Sequence, residues 1–139
     1  MSAERIWLDI PATAAYLHLL SESIAELIER VADVPEPTKI TYSLQLATQE
    51  IGANIVRHAY GGTGGRIIAQ LTIAHGPRRL VIELRDCGTT FDPTLVVAPN
   101  LDEAQIHGYG LFLARALLDE LHYEAGPSEN RWRLVKLLG

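Results

Sequence analysis

Apolar residues along the chain recur with two periods, and the switches between them predict the elements. RIWLDIP (5–11) alternates apolar and polar residues as a half-buried strand does, and it stops at Pro11. Residues 12–33 follow helical spacing, with Leu17, Leu20, Ile24, Leu27, Ile28 and Val31 on one stripe and Thr13 as the predicted cap. PEPT (35–38) breaks that helix, because each proline restricts its neighbour and removes a donor. A second helix is predicted from about Thr38 to Arg57, buried through Ile40, Leu44, Ala47, Ile51 and Ile55. GGTGG (61–65) reads as a turn; it lacks the Gly-Lys-Ser/Thr of a phosphate-binding P-loop. RIIAQLTIAH (66–75) and RRLVIELRD (78–86) predict two antiparallel strands about a tight Gly76-Pro77 turn.

The stretch 87–107 has no sustained period, and a loop of that length in a compact domain is usually functional or mobile. GYGLFLARALLDEL (108–121) is a Gly-x-Gly followed by a helix. LHYEA (121–125) and RWRLVKLL (131–138) predict a closing hairpin around GPSEN. The expected architecture is one domain over 1–139, an α+β two-layer sandwich. Its sheet is mixed and mostly antiparallel, with about three helices on one face. The order does not follow the regular β-α-β alternation of a doubly wound fold.

Composition excludes more than it selects. A net charge of −5 and scattered basic residues argue against direct nucleic-acid binding. Hydrophobic residues at 47% and charged residues at 21% are ordinary for a soluble domain, and no apolar run approaches a membrane span. Cys87, the single cysteine, excludes an internal disulfide and fits a reducing cytoplasm. The N-terminus has no signal-peptide layout.

Polar chemistry gathers in three islands. Glu50 and Asn54, four residues apart, stack on one helix face. Asp86-Cys87-Gly88 leaves a strand, where an Asp can accept a hydrogen bond from an exocyclic amine. Gly108-Tyr109-Gly110 opens a helix, whose unpaired N–H groups and positive dipole end suit a phosphate. An Asn near a phosphate can ligate Mg²⁺ through its oxygen. In this order the islands describe a nucleotide site. The simpler readings are a solvated helix face for Glu50 and Asn54, a helix-end structural role for His58, a small filler for Cys87, and core cover for Tyr109. Trp7 and Trp132 read as packing or interface residues.

E-x-x-x-N at 50–54, D-x-G at 86–88 with Phe91-Asp92-Pro93, and G-x-G-L at 108–111 resemble the three boxes of the GHKL ATPase superfamily, whose fold is the Bergerat fold. NIVRHAY (54–60), DCGTTFDP (86–93) and GYGLFLARALLDEL (108–121) are most similar to its stand-alone branch, the bacterial anti-sigma factor serine/threonine kinases. The resemblance runs over roughly 5–138. It implies ATP and Mg²⁺ as cofactors, with Asn54 holding the metal and Asp86 binding the adenine amino group beside Gly88. It implies Gly108 and Gly110 at the phosphates, under a lid at 93–107, with Tyr109 and Leu111 also among the cofactor-binding residues. Glu50 would be the general base toward a partner's serine hydroxyl. The implied partners are a sigma factor and a STAS-domain anti-sigma antagonist, and the implied assembly is a homodimer, with strand 5–10 as a plausible seam.

The chain departs from the family pattern at three places. Thr90 stands at the second glycine of D-x-G-x-G, and a β-branched residue there disfavours positive φ. No Lys or Arg lies between Arg85 and Arg115, so Arg57 or a partner would have to stabilise γ-phosphate charge. Glu129-Asn130 replaces the family's Gly-Thr, with Asn130 able to keep the adenine hydrogen bond. Two functions follow: a Mg-ATP-dependent serine kinase, or a nucleotide-responsive partner-binding module or switch kinase with weak or no transfer.

Overall fold

The computed structural model describes residues 4–61, 64–89 and 109–139. The elements run β1 (Glu4–Pro11), α1 (Ala14–Glu29), α2 (Pro37–Asn54), a π-helical turn (Ile55–Ala59), β2 (Arg66–Ala74), β3 (Arg79–Asp86), α3 (Tyr109–Leu117), β4 (Glu120–Ala125) and β5 (Asn130–Leu137). The strands form one sheet in the order β1-β2-β3-β5-β4. Every pairing among the described residues is antiparallel, so no parallel pair of the expected mixed sheet occurs in this part.

The period-two pattern of the strands decides which sheet face is covered. Ile67, Ala69, Leu71 and Ile73 of β2 and Leu80, Ile82 and Leu84 of β3 are buried, and their neighbours in sequence are not. Those buried positions share one core with Leu20, Ile24, Leu44, Ile51, Leu111 and Ala114 of the three helices. The helices therefore lie on one face, as expected. α1 and α2 pack closely at Gly52, where an added Cβ would press into the Leu17 side chain. The opposite sheet face carries Arg5, Trp7, Asp9, Gln70, Glu83 and Arg85 and no described helix.

Thr13 occupies the N-cap of α1 in extended backbone, but its hydroxyl makes no capping bond. Its carbonyl does the work, accepting from Tyr16 N at 3.1 Å and Leu17 N at 3.0 Å. The second helix ends its α-helical run at Asn54 and widens into the π turn. There the amide of Tyr60 donates to the Ile55 carbonyl at 3.3 Å, five residues back. The apolar spacing Ile51, Ile55, Ala59 suits an uninterrupted α-helix equally well, so this turn has no signature in the periodicity. Trp132 is buried against Tyr123, with ring centroids 4.5 Å apart. Trp7 is 55% exposed on the uncovered sheet face, and the Arg85 guanidinium lies 5.8 Å from its ring centroid. No helix among the described residues is long and apolar enough to cross a membrane.

Candidate nucleotide site

The end of β3, the start of β5, the last turn of α2 and the first turn of α3 meet at one corner of the sandwich. Antiparallel register places Asp86 directly opposite Asn130, both on the covered face of the sheet and both 3% exposed. Asn130 Nδ2 donates to Asp86 Oδ1 at 2.9 Å and to the Gly88 carbonyl at 3.0 Å. The Gly88 amide donates to the same Oδ1 at 3.0 Å. A buried carboxylate is costly without such donors. Both bonds fall on Oδ1.

The Asp86-Cys87-Gly88 turn is fastened to the end of α2 as well. The Thr89 amide donates to the Ala59 carbonyl at 2.7 Å, and the Cys87 amide to the Tyr60 hydroxyl at 2.8 Å. That hydroxyl in turn donates to the Arg66 carbonyl at 2.8 Å, tying the π turn to β2 and to the end of β3. A Cβ on Gly88 would overlap the carbonyl of Ala59. Glycine is needed here for backbone-to-backbone approach.

Glu50 and Asn54 are both half-buried on α2, one turn apart, as their spacing predicts. Asn54 lines a small cavity with Ile55, His58, Ala59, Asp86, Thr89, Tyr123 and Trp132. The cavity is about 10 Å³, room for one water molecule and not for a purine. A Cβ on Gly110 would overlap the Glu50 Oε2. The carboxylate therefore abuts the first turn of α3, at the positive end of that helix.

The fold thus brings together four residues of the sequence-derived site: Asp86, Gly88, Asn54 and Asn130. Glu50 and Gly110 form a second contact on the same helix. Tyr109 begins α3 and is 41% exposed. Leu111, expected among the cofactor-binding residues, has its side chain in the core, 5% exposed and clustered with Ala114 and Leu118. Only its amide, in the first turn of α3, remains for a ligand. Asn130, expected to reach the adenine, has its amide hydrogens committed to Asp86 and Gly88. Arg57 is exposed on the π turn, and His58 lines the cavity instead of merely closing a helix end. Gly108, Thr90, Phe91-Asp92-Pro93 and the 93–107 lid lie outside the described residues. The role of Tyr60 does not show in the spacing of NIVRHAY, because its hydroxyl partners, the Cys87 amide and the Arg66 carbonyl, are remote in sequence.

Among the described residues no group of three or more His, Cys, Asp or Glu could hold a metal.

The chain matches the histidine kinase-like ATPase domain family over residues 10–136. The serine/threonine-protein kinase BtrW of Bordetella bronchiseptica is 34% identical over 102 residues, which cover 70% of each protein. The serine-protein kinase RsbW of Bacillus pumilus is 26% identical over 135 residues, 89% of this chain and 80% of that one. Among solved structures, the RsbU and RsbW domains of Rv1364c from Mycobacterium tuberculosis align with a TM-score of 0.69 at 18% identity. That alignment covers 96% of this chain, which spans 32% of the longer one. The histidine kinase domain of a blue-light activated kinase from Erythrobacter litoralis aligns with a TM-score of 0.58 at 20% identity, over 92% of this chain and 61% of that one. These two likenesses are of fold, and the GHKL-type sandwich expected from the sequence is that fold. By the reach of the family match and the identity to BtrW, the chain belongs to the histidine kinase-like ATPase domain family.

Proposed function

We propose that the chain is an ATP-binding protein kinase that transfers the γ-phosphoryl group to a serine of a STAS-type antagonist and sequesters a sigma factor in a partner-switching pathway, working as a homodimer in the cytoplasm. The observation that carries this reading is the convergence of Asp86 and Asn54 on one cavity, with Glu50 one turn away against the first turn of α3. The Asp86 carboxylate would accept from the adenine amino group. Asn54 would hold Mg²⁺, which when bound neutralises phosphate charge. The amides of Tyr109, Gly110 and Leu111, with Gly108, would face the phosphates. Glu50 would take the proton of the antagonist serine as its oxygen attacks the γ-phosphorus and ADP leaves. The relatives named as serine/threonine-protein and serine-protein kinases support this class of reaction.

A second reading is a nucleotide-responsive binding module without transfer. It draws support from the cavity of about 10 Å³, which must open before a purine can enter, and from Asn130 being engaged with Asp86. Single-turnover transfer from radiolabelled ATP to a cognate STAS protein separates the two. The kinase reading expects transfer that Glu50→Ala abolishes while nucleotide still binds. Transfer by Glu50→Ala at the wild-type rate would remove Glu50 as the base.

A further inference from the structure

At the Asp86–Asn130 pair and the turn beside it, the donors have partners inside the protein while acceptors remain. Both groups that the Asn130 amide faces, the Asp86 carboxylate and the Gly88 carbonyl, can only accept. The side chain must therefore turn its nitrogen to them, since the flipped orientation sets oxygen against oxygen. Its two hydrogens are used at 2.9 and 3.0 Å, and what Asn130 retains is its carbonyl oxygen, an acceptor. The turn after β3 repeats the pattern. The amides of Cys87, Gly88 and Thr89 donate to the Tyr60 hydroxyl, Asp86 Oδ1 and the Ala59 carbonyl. β5 lies between β3 and β4, so its backbone is used in two ladders. His58, Tyr123 and Trp132, on the wall of the same cavity, have partners of their own. The Thr89 hydroxyl, also on that wall, can donate or accept and by itself distinguishes no base.

We infer that Asn130 sets the base preference of the nucleotide site proposed above, and that this site takes guanine nucleotides at least as well as adenine nucleotides. The pairing edge of adenine brings one donor, the N6 amino group, and one acceptor, N1. Asp86 serves the first, and the pair has no donor for the second. Guanine brings two adjacent donors, N1–H and the N2 amino group, and a carboxylate beside a carbonyl oxygen accepts both. Its acceptor on that edge, O6, stands at the end, where water can serve it, whereas adenine N1 lies in the middle. A polar group shielded from water without a partner costs more than a made bond contributes, so the unmet N1 decides the balance. A hydroxyl at position 130 can donate and would supply what N1 lacks. The cavity of about 10 Å³ must open for either base. The bonds among Asp86, Gly88 and Asn130 lie within the β3–β5 ladder and its turn, so a displacement of the α2 end opens the cavity without releasing them.

This base preference rests on the nucleotide-site reading, and one set of titrations tells the two apart. Calorimetry is run with Mg-ATP, Mg-GTP and Mg-ITP on the wild type, Asn130→Thr and Asn130→Val, with far-ultraviolet circular dichroism as the check on folding. The wild type should bind Mg-GTP at least as tightly as Mg-ATP, and about tenfold more tightly than Mg-ITP, whose base lacks the N2 amino group. Asn130→Thr should move the ratio of the GTP and ATP dissociation constants toward ATP by about tenfold or more. Asn130→Val removes the same amide and supplies no donor, so its ratio should move by about threefold at most. The wild-type comparison decides even if a variant does not fold. A wild type that binds no nucleotide would remove the site and this preference with it. A wild type that binds Mg-ATP about threefold or more tightly than Mg-GTP, or equal shifts in the two variants, would keep the site and overturn the role of Asn130.

Discussion

Replacing Asn130 by Ala tests whether the Asp86 carboxylate is held by its cross-strand neighbour. The substitution removes two donated bonds, at 2.9 Å to Asp86 Oδ1 and 3.0 Å to the Gly88 carbonyl, both between groups shielded from water. A hydrogen bond to a charged acceptor contributes about 1.5–3 kcal/mol and one to a neutral carbonyl about 0.5–1.5 kcal/mol. The Gly88 amide still donates to Oδ1, so the carboxylate is not left bare. The expected loss is therefore about 2–4 kcal/mol, or roughly 8–16 °C in Tm at about 4 °C per kcal/mol for a domain of this size. Chemical denaturation of the wild type, Asn130→Ala, Asp86→Ala and the double variant closes a cycle whose coupling should be at least about 1 kcal/mol. Asn130→Thr, with one hydroxyl donor and the family's residue, should lose less than Asn130→Ala. An additive cycle, or Asn130→Ala within about 0.5 kcal/mol of wild type, would refute the clamp.

Other expectations follow from the same contacts. Gly88→Ala drives a Cβ into the Ala59 carbonyl, which cannot step aside as a side chain can, and should lose about 2–3 kcal/mol by denaturant titration. Gly110→Ala meets only the Glu50 carboxylate and improves helix propensity. Its Tm should stay level or rise, while phosphotransfer falls as Glu50 is displaced; equal transfer would sever Glu50 from that corner. Tyr60→Phe strips the Cys87 amide and the Arg66 carbonyl of their partner and should cost about 1–2 kcal/mol, with faster amide exchange at Cys87. Leu111→Ala should cost about 2–4 kcal/mol, as a core truncation does; a Tm shift under about 2 °C would return Leu111 to the surface.

The elements were legible because each carries a clean period: alternation in RIIAQLTIAH and RRLVIELRD, a 3.6-residue stripe from Leu17 to Ile28, and prolines or glycines at the breaks. The site was legible because its parts sit in short boxes, Glu50 with Asn54 and Asp86 with Gly88. What escaped depends on contacts between segments far apart in sequence. The pairing of Asp86 with Asn130 needs the β3–β5 register, and Gly88 against Ala59 needs the strand end docked on the helix end. The π turn after Asn54 shares its apolar spacing with an α-helix. Thr13 sits at its predicted cap position, but the carbonyl and not the hydroxyl serves there, a choice that residue type does not reveal. Leu111 follows a glycine box yet faces inward, since the first turn of α3 needs an apolar residue to seat it on the core.

The central claim is a Mg-ATP site built on Asp86 and Asn54, and titration calorimetry with Mg-ATP and Mg-ADP on the wild type and Asn54→Ala tests it most directly. The account predicts binding that requires Mg²⁺ and weakens at least about tenfold in Asn54→Ala, the change expected when about 1.4 kcal/mol of ligation is lost. No heat up to millimolar nucleotide, or equal binding by both proteins with and without Mg²⁺, would contradict it.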